Sequence, residues 1–473
     1  MLKLYNTLSR KIEEIPKKDH LNLYTCGPTV YNYAHIGNLR SFILADLLFR
    51  TLEYEGYNPR WVMNITDIDD KTIKGTIAEY GDNATVKDLY NFTEKYFQGF
   101  VTDLKEVNVS VDKIEFIRVT SKMKDIQEFI VELVKKDYGY VADDGIYFSI
   151  EKYQKDFGDY GQLVGEKFLD GKKVGARVQV DEYDKESLSD FALWKFHNPK
   201  TDGNIFWEDL VKDGEVKIAN GRPGWHIECS VINRVAFKGE PTDIHTGGVD
   251  LIFPHHANEI AQSQALLGKG NFVKHWFHSE HLLVDGKKMA KSANNFYTLQ
   301  DLAQNTSYVG PGLRYLFLQA KYTTQQDFTL ASFASALKSF DSFKWYVEGV
   351  LGGGIMEKLT EPQTTFNYGP LEKDLDFPAW LGNLQKLAND GTIPWESKLG
   401  FILAAYRFCG IDYKQYLFKT FEWPAEVLSL VRLREEAKRN HDFAKSDELR
   451  KQVEALGFEV MDTPEGQKIR KKL

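Results

Sequence analysis

The stretch Tyr24 to Arg40 constrains this chain more than any other: Tyr-Thr-Cys-Gly-Pro-Thr-Val-Tyr-Asn-Tyr-Ala-His-Ile-Gly-Asn-Leu-Arg. Before it, Leu21, Leu23 and Tyr24 read as a short strand. After it, Leu39, Phe42, Ile43, Leu47, Leu48 and Phe49 recur at helical spacing, with Gly56 as a stop. A strand therefore runs through a Gly/Pro loop into a helix. Gly37 stands at the helix entrance, where free backbone N–H groups and the positive end of the helix dipole suit phosphate. The loop also carries a thiol, Cys26, and an imidazole, His35. A second candidate phosphate contact, Lys288-Met289-Ala290-Lys291-Ser292, lies far along the chain. The expectation is that the two segments fold around one nucleotide, with Cys26 holding a metal beside it.

At 473 residues the chain exceeds what one core usually supports, so several domains are expected. The longest apolar runs fall short of the roughly 20 residues of a membrane span, and Met-Leu-Lys-Leu-Tyr-Asn has no signal-peptide core. Three cysteines argue against a disulfide framework and for a reducing, cytoplasmic setting. The net charge of -8 gives no overall attraction to nucleic acid, so an RNA site must be a local basic surface.

The texture divides the chain. Residues 1–18 are a polar lead-in to an alternating α/β region that runs to 118, with Arg60 to Ile65 as its second strand. That alternation predicts a Rossmann-like parallel sheet, whose ligands sit at the carboxyl ends of strands. Residues 119–220 read as an insertion: a helix over 121–136, then short strands such as Gly145 to Ile150. The α/β pattern returns over 221–305. Residues 306–423 are mainly helical, with Phe333, Leu337, Phe340 and Val347 on one face. Gly352-Gly353-Gly354 and the polar run to Gly369 read as a flexible loop. The tail, 424–473, holds two helix patterns and a small strand at Gly457 to Val460, and is slightly basic.

Cys26, Cys229, His255 and Glu259 form a candidate metal set. His255 and Glu259 lie four apart, on one face if Pro254 opens a helix. Two thiolates, an imidazole and a carboxylate suit Zn²⁺. Two buried structural cysteines beside a helix start explain the same residues, and spacing alone does not separate the alternatives. Cys409, in an apolar helix, reads as core packing. His35-Ile-Gly-Asn38 and Lys288 to Ser292 are each common accidents, but together they could grip a triphosphate without the Walker pattern, which is absent.

At this point the motifs carry a resemblance. The blocks Cys26 to Asn38, Asn64 to Lys71, Asp190 to Lys195, Arg222 to Ser230, Asp243 to Ser263, Lys288 to Ser292 and Asp462 to Gly466 resemble, in order and spacing, the cysteinyl-tRNA synthetase family of class I aminoacyl-tRNA synthetases. The resemblance implies one Zn²⁺ per subunit on Cys26, Cys229, His255 and Glu259. It implies an ATP site at His35, Gly37, Asn38, Lys288, Lys291 and Ser292, with His35, Asn38, Lys288 and Lys291 catalytic and Mg²⁺ assisting. Gly27, Thr29, Thr66, Trp225 and His245 match positions lining the amino-acid pocket. The implied regions are 1–118 and 221–305 for the two catalytic halves, 119–220 for a connective insertion, 306–423 for a stem-contact and anticodon-binding region, and 424–473 for a small tRNA-binding domain.

Two departures stand out. The HIGH-type element ends in Asn38, and the KMSKS-type loop has Ala290 for its first Ser and continues Ala293-Asn294-Asn295. The implied activity is ATP-dependent activation of L-cysteine and transfer to tRNA(Cys) by a cytoplasmic monomer. Zinc would read the substrate thiol, which ionises on a metal where serine's hydroxyl does not. Two alternatives use the same blocks: a ligase joining cysteine to an amino sugar, which needs no RNA-binding tail, and an inactive zinc-containing RNA-binding paralogue.

Overall fold

The computed structural model describes residues 1–158, 160–164, 174–178, 188–208, 210–212, 216–270, 272–289, 295–303, 306, 308–351, 369–393, 395–413, 424–463 and 466–471. The chain separates into two compact units. One comprises Met1–Thr298, Phe317–Phe328 and Phe366–Lys386; the other comprises Leu299–Leu316, Thr329–Thr365 and Leu387–Leu473.

The first unit is built on five parallel strands: β1 (Leu21–Thr25), β2 (Pro59–Ile65), β3 (Ile114–Arg118), β4 (Thr242–Gly248) and β5 (Val273–Ser279). Their order across the sheet is β3–β2–β1–β4–β5. Every pair is parallel, with Leu23 opposite both Trp61 and Ile244. Strands covered on both faces lose the polar alternation of an exposed sheet; all of β1 is buried, as is β2 from Trp61 onward. The connections leave β1 in opposite directions, so the topological switch lies between β1 and β4, where such sheets open a ligand crevice. The sequence expectation of a Rossmann-like fold is met.

Helix α1 (Ile36–Tyr54) follows β1. Its start is fixed reciprocally: His35 Nδ1 accepts from the Asn38 amide at 3.2 Å, and Asn38 Oδ1 accepts from the His35 amide at 3.3 Å. Gly56, at φ 75, turns the chain out of the helix as expected.

The insertion forms an antiparallel sheet of Gly139–Val141, Gly145–Phe148, Leu188–Phe196 and Gly221–Pro223, with Val174–Val178 running parallel to Leu188–Phe196. Its anticipated helix spans Met123–Lys135. The lead-in differs from the sequence expectation. Lys3–Asn6 and Lys11–Glu14 form a hairpin, and Leu2 and Leu4 are buried.

In the second unit the amphipathic helix appears as Leu330–Leu351. Cys409 is fully buried, and its carbonyl accepts from Arg314 Nη1 at 2.8 Å, in keeping with a packing role. Helices Ala425–Arg439 and Phe443–Ala455 precede a hairpin, Phe458–Thr463 with Gly466–Lys471, whose second strand the sequence did not reveal. Buried Arg434 binds both oxygens of Asp462 at 2.9 and 3.0 Å. The expected loop over 352–368 lies outside the described residues.

Candidate metal centre and nucleotide cradle

Cys26 directly follows β1, and its amide is held by the Thr246 carbonyl of β4 at 3.2 Å. Its side chain therefore leaves the sheet at the switch point. Cys229 comes from helix α2 (Trp225–Ala236). That helix starts unusually close to the insertion sheet: a Cβ on Gly224 would lie 1.9 Å from the Ala192 carbonyl oxygen, so only glycine permits the approach. His255 and Glu259 come from the last chain segment before β5. Pro254 does not open a regular helix there. Phe253 has extended φ/ψ, a single wide turn covers Ile252–His256, and helix α3 runs over Ala257–Leu267. His255 and Glu259 still share a face one turn apart, with His255 Nε2 at 3.2 Å from Glu259 Oε1.

The ligand atoms of Cys26, Cys229, His255 and Glu259 all lie within 4.8 Å of one another, and all four residues are buried. Their spacing fits a metal. Tetrahedral bonds of about 2.3 Å to sulfur place two sulfurs about 3.8 Å apart, and bonds of about 2.0–2.1 Å place nitrogen and oxygen about 3.4 Å apart. The Sγ atoms of Cys26 and Cys229 are 3.7 Å apart. Burial alone would raise the Glu259 carboxyl, but the His245 and His255 imidazoles overcome it and hold it down to about 2. Burial likewise opposes charge on His255, yet Cys229 and Glu259 raise it to about 10. Cys26 is pushed up by burial and by the neighbouring thiol and carboxylate. Cys26 and His255 counter the burial of Cys229 and hold its thiol down to about 6. Two sulfurs, a carboxylate and an imidazole packed this closely are a donor set that a divalent ion would complete by displacing the remaining thiol proton.

The expected pocket residues gather around this centre. Gly27 donates its amide to Asn64 Oδ1 at 2.8 Å, and a Cβ there would lie 1.7 Å from the Asn64 carbonyl oxygen. Thr29 bridges to Thr66, whose backbone holds Val30 and Pro28 at 3.1 and 3.2 Å. The Thr66 hydroxyl donates to Glu228 Oε2 at 2.7 Å, one residue from Cys229. The Trp225 ring lies over His255 at 4.4 Å between centroids. His245, on β4, contacts Glu259 Oε2 through Nε2 at 3.1 Å. Asn64 and Glu228 are links that sequence reasoning had placed in motifs but not in the site. His256 and His278 it had not assigned at all.

The two candidate phosphate segments also meet. His35 bridges to Thr298, the Ile36 amide donates to the Tyr297 carbonyl at 3.0 Å, and the His35 ring packs edge-on against Phe296 at 5.2 Å. Lys287–Lys288 pairs with Leu282–Val284, and Asn295 Nδ2 donates to the Lys288 carbonyl at 3.1 Å. Met289 reaches Gly37: a Cβ on that glycine would lie 2.3 Å from Met289 Cε. Burial lowers His35 to about 4, so its ring is neutral near pH 7. Since Nδ1 accepts from the Asn38 amide, the ring proton resides on Nε2, leaving an N–H donor for a ligand. Lys291 and Ser292 lie outside the described residues. Among the described residues no helix is long and apolar enough to cross a membrane.

Comparison with known proteins gives the same picture. The model of the class I (C) tRNA synthetase catalytic domain matches residues 12–338, and that of the cysteinyl-tRNA ligase anticodon binding domain matches residues 421–470. The cysteine–tRNA ligase of Chlamydia muridarum is 37% identical, covering 99% of each chain. That of Leptospira interrogans is 36% identical, covering 100% of this chain and 99% of its own. Among solved structures, Mycobacterium tuberculosis methionyl-tRNA synthetase with methionyl-adenylate aligns at TM-score 0.54 and 12% identity, covering 91% of this chain and 96% of its own. An Agrobacterium radiobacter K84 LeuRS in a ternary complex aligns at 0.59 and 9%, covering 84% of each. At those identities the likeness speaks for the fold alone.

Proposed function

This chain belongs to the cysteine–tRNA ligase family of class I aminoacyl-tRNA synthetases, and from that premise we propose that the four-donor centre holds Zn²⁺ and reads the thiol of L-cysteine beside a bound ATP. The chain is an ATP-dependent ligase that joins cysteine to tRNA. The observation that carries the site assignment is the convergence of Cys26, Cys229, His255 and Glu259 within 4.8 Å at the sheet's switch point. When bound, the ion supplies a soft centre on which a thiol ionises, so sulfur is favoured over serine's oxygen.

This chain's own residues do the rest. Gly27, Thr29 and Thr66 form the wall facing the amino acid, and Trp225 excludes water over His255. His35 presents Nε2–H and the entrance of α1 at Gly37 presents its backbone amide toward the triphosphate, while Asn38, through its capping bonds, holds the His35 ring in place. Lys288, with Lys291 and Ser292, follows the charge on departing pyrophosphate, and Mg²⁺ would add further neutralisation of that charge. The cysteine carboxylate, already ionised, forms a bond to the α-phosphorus as the bond to pyrophosphate breaks. In the second transfer the 2′-hydroxyl of the terminal adenosine of tRNA(Cys), the position class I membership implies, forms the ester bond as the acyl–phosphate bond breaks and AMP leaves with its electron pair. Residues 306–423 contact the acceptor stem and anticodon arm, 424–473 add an RNA surface, and the enzyme works as a monomer in the cytoplasm. The full-length match to tRNA ligases, tail included, favours this over an amino-sugar ligase.

Charging of tRNA(Cys) with cysteine and with serine, before and after chelation, tests the assignment. Chelation should abolish cysteine charging and cysteine-dependent ATP–pyrophosphate exchange, and zinc should restore both. Charging by metal-free protein with cysteine still preferred over serine would remove zinc as the reader.

A further inference from the structure

We propose that His256 serves the metal centre from outside it, as the N–H donor to the Cys26 sulfur, and that His278 and Thr7 hold it in the tautomer this requires. The inference rests on the zinc assignment above and adds three residues to it. His256 Nε2 lies 3.4 Å from Cys26 Sγ. Its Nδ1 lies 2.7 Å from His278 Nε2, and His278 Nδ1 lies 2.7 Å from the Thr7 hydroxyl. Both histidines are buried. The arrangement is built: the His256 ring rests on Gly247, where a Cβ would be 2.7 Å from its Cε1, and the Trp276 ring packs beside it at 5.0 Å. The Thr7 amide donates to the Trp276 carbonyl at 3.0 Å, which anchors the hydroxyl end of the chain.

Such a chain has two self-consistent proton arrangements, because each neutral imidazole carries one donor and one acceptor. In one, Thr7 donates to His278, His278 donates to His256, and His256 donates to sulfur. In the other every bond is reversed, and a nitrogen lone pair faces Cys26 as a ligand would. Cys26, His245, His256 and Glu259 do form an alternative four-donor group. Geometry and charge favour the donor arrangement. His256 Nε2 is 3.9 Å from Glu259 Oε1, beyond the edge of about 3.4 Å that a tetrahedral nitrogen–oxygen pair spans. His255 Nε2, at 3.2 Å, fits that edge. A divalent ion bound by two thiolates and a carboxylate carries net charge -1 in a buried place, and a substrate thiolate adds another negative charge. An N–H directed at Cys26 offsets that excess, whereas a lone pair there would worsen it. The alternative group would also leave the Cys229 thiol buried beside a metal that it does not bind.

The test uses the full-length protein loaded with Co²⁺, whose thiolate-to-cobalt charge-transfer band reports both the number of sulfurs and their electron donation. Losing a hydrogen bond leaves a thiolate more electron-rich. His256→Leu should therefore keep one cobalt and the full band intensity, move the band to lower energy, and speed chelator extraction by about tenfold. His256→Gln, which retains an N–H, should return the band toward its original position. Thr7→Val, half-buried and remote from the metal, should shift it the same way by less, and it carries the test if His256→Leu does not fold. Cys229→Ser should halve the intensity. An unmoved band in both His256→Leu and Thr7→Val overturns the proposal. So does loss of the tetrahedral spectrum in His256→Leu with Cys229→Ser unchanged, which would make His256 a ligand. Failure of the unaltered protein to bind cobalt would instead sink the metal assignment, and this inference with it.

Discussion

Replacing Thr66 with Val tests whether the proposed cysteine pocket is held by a polar chain rather than by packing. The links run Gly27 amide to Asn64 Oδ1 at 2.8 Å, Asn64 Nδ2 to Thr66 Oγ1 at 3.1 Å, and Thr66 Oγ1 to Glu228 Oε2 at 2.7 Å. Asn64, Thr66 and Glu228 are buried. Valine keeps the shape and removes the hydroxyl. A hydrogen bond to a charged group contributes about 1.5–3 kcal/mol, and the Asn64 amide loses its acceptor as well, so the loss should be about 2–4 kcal/mol. In a unit of this size that corresponds to a fall in Tm of roughly 3–10 °C by calorimetry on zinc-loaded protein.

The kinetic consequence should be selective. The Thr66 backbone still holds Val30 and Pro28, and none of the His35–Asn38 contacts changes. The freed Asn64 amide loosens Gly27, and about 1–2 kcal/mol of lost positioning raises cysteine KM by about 5–30-fold in pyrophosphate exchange. ATP KM should stay within about twofold, since twofold is only about 0.4 kcal/mol. Thr66→Ser restores the hydroxyl and should recover most of both effects. Equal damage from Ser and Val, or an ATP KM that rises with the cysteine KM, would refute the polar-chain account.

Two further outcomes follow from the same geometry. Gly37→Ala drives a methyl into Met289 Cε, a flexible end that can withdraw without moving backbone. It should cost about 1–3 kcal/mol of docking and raise ATP KM about tenfold with little change in Tm, and adding Met289→Ala should recover at least half of that loss in a double-mutant cycle; no recovery would mean that the ligand itself needs the glycine. Asp70 ties the catalytic half to the insertion through Lys195, at 3.0 Å, and Arg222. Burial raises its carboxyl, but Arg222 and Lys195 outweigh that and hold it below the usual carboxylate range. A depressed carboxyl stabilises the fold above its unfolded pKa and loses that contribution as pH falls through the folded one. The Tm gap between the unaltered protein and Asp70→Asn should therefore narrow as pH drops from about 5 to 3, since an unperturbed Asp titrates near 3.9, and a gap that widened would reverse the assignment.

Legibility in the sequence followed the length and regularity of the local signal. The strand–loop–helix from Leu21 to Tyr54 was readable because its apolar spacing switches period at a Gly/Pro loop and its cap residues are polar. The lead-in hairpin was missed because two four-residue strands bury too few side chains to show alternation over a polar background. Pro254 was misplaced because a proline before a helical run usually marks N1, and here the wide turn Ile252–His256 intervenes. The donor types of the metal set were visible, but their convergence was not. It depends on Tyr24 pairing with His245 and Thr25 with Thr246 across the switch point, and on the close approach at Gly224, neither of which leaves a trace in local spacing. His256 and His278 were passed over for the same reason: His256 lies inside a block whose neighbouring donors drew the assignment, His278 lies in none of the motif blocks, and only the fold brings Thr7 to them.

That convergence also bears on how the two catalytic halves stay registered. Of the four proposed ligands only Cys26 precedes the insertion; Cys229, His255 and Glu259 all follow it. The ligand set therefore cannot form until β4 has paired with β1, a contact between segments more than 200 residues apart in sequence. Closing so long a loop is entropically costly, though the cost grows only slowly with length. A metal that binds the paired state and not the separated halves stabilises that pairing by mass action. The centre proposed to recognise the substrate thiol thus also ties the first catalytic half to the second across the insertion. A cysteine at position 26 serves both ends, because the residue that leaves β1 at the switch point places its sulfur 3.7 Å from both Cys229 Sγ of α2 and Glu259 Oε1 of α3.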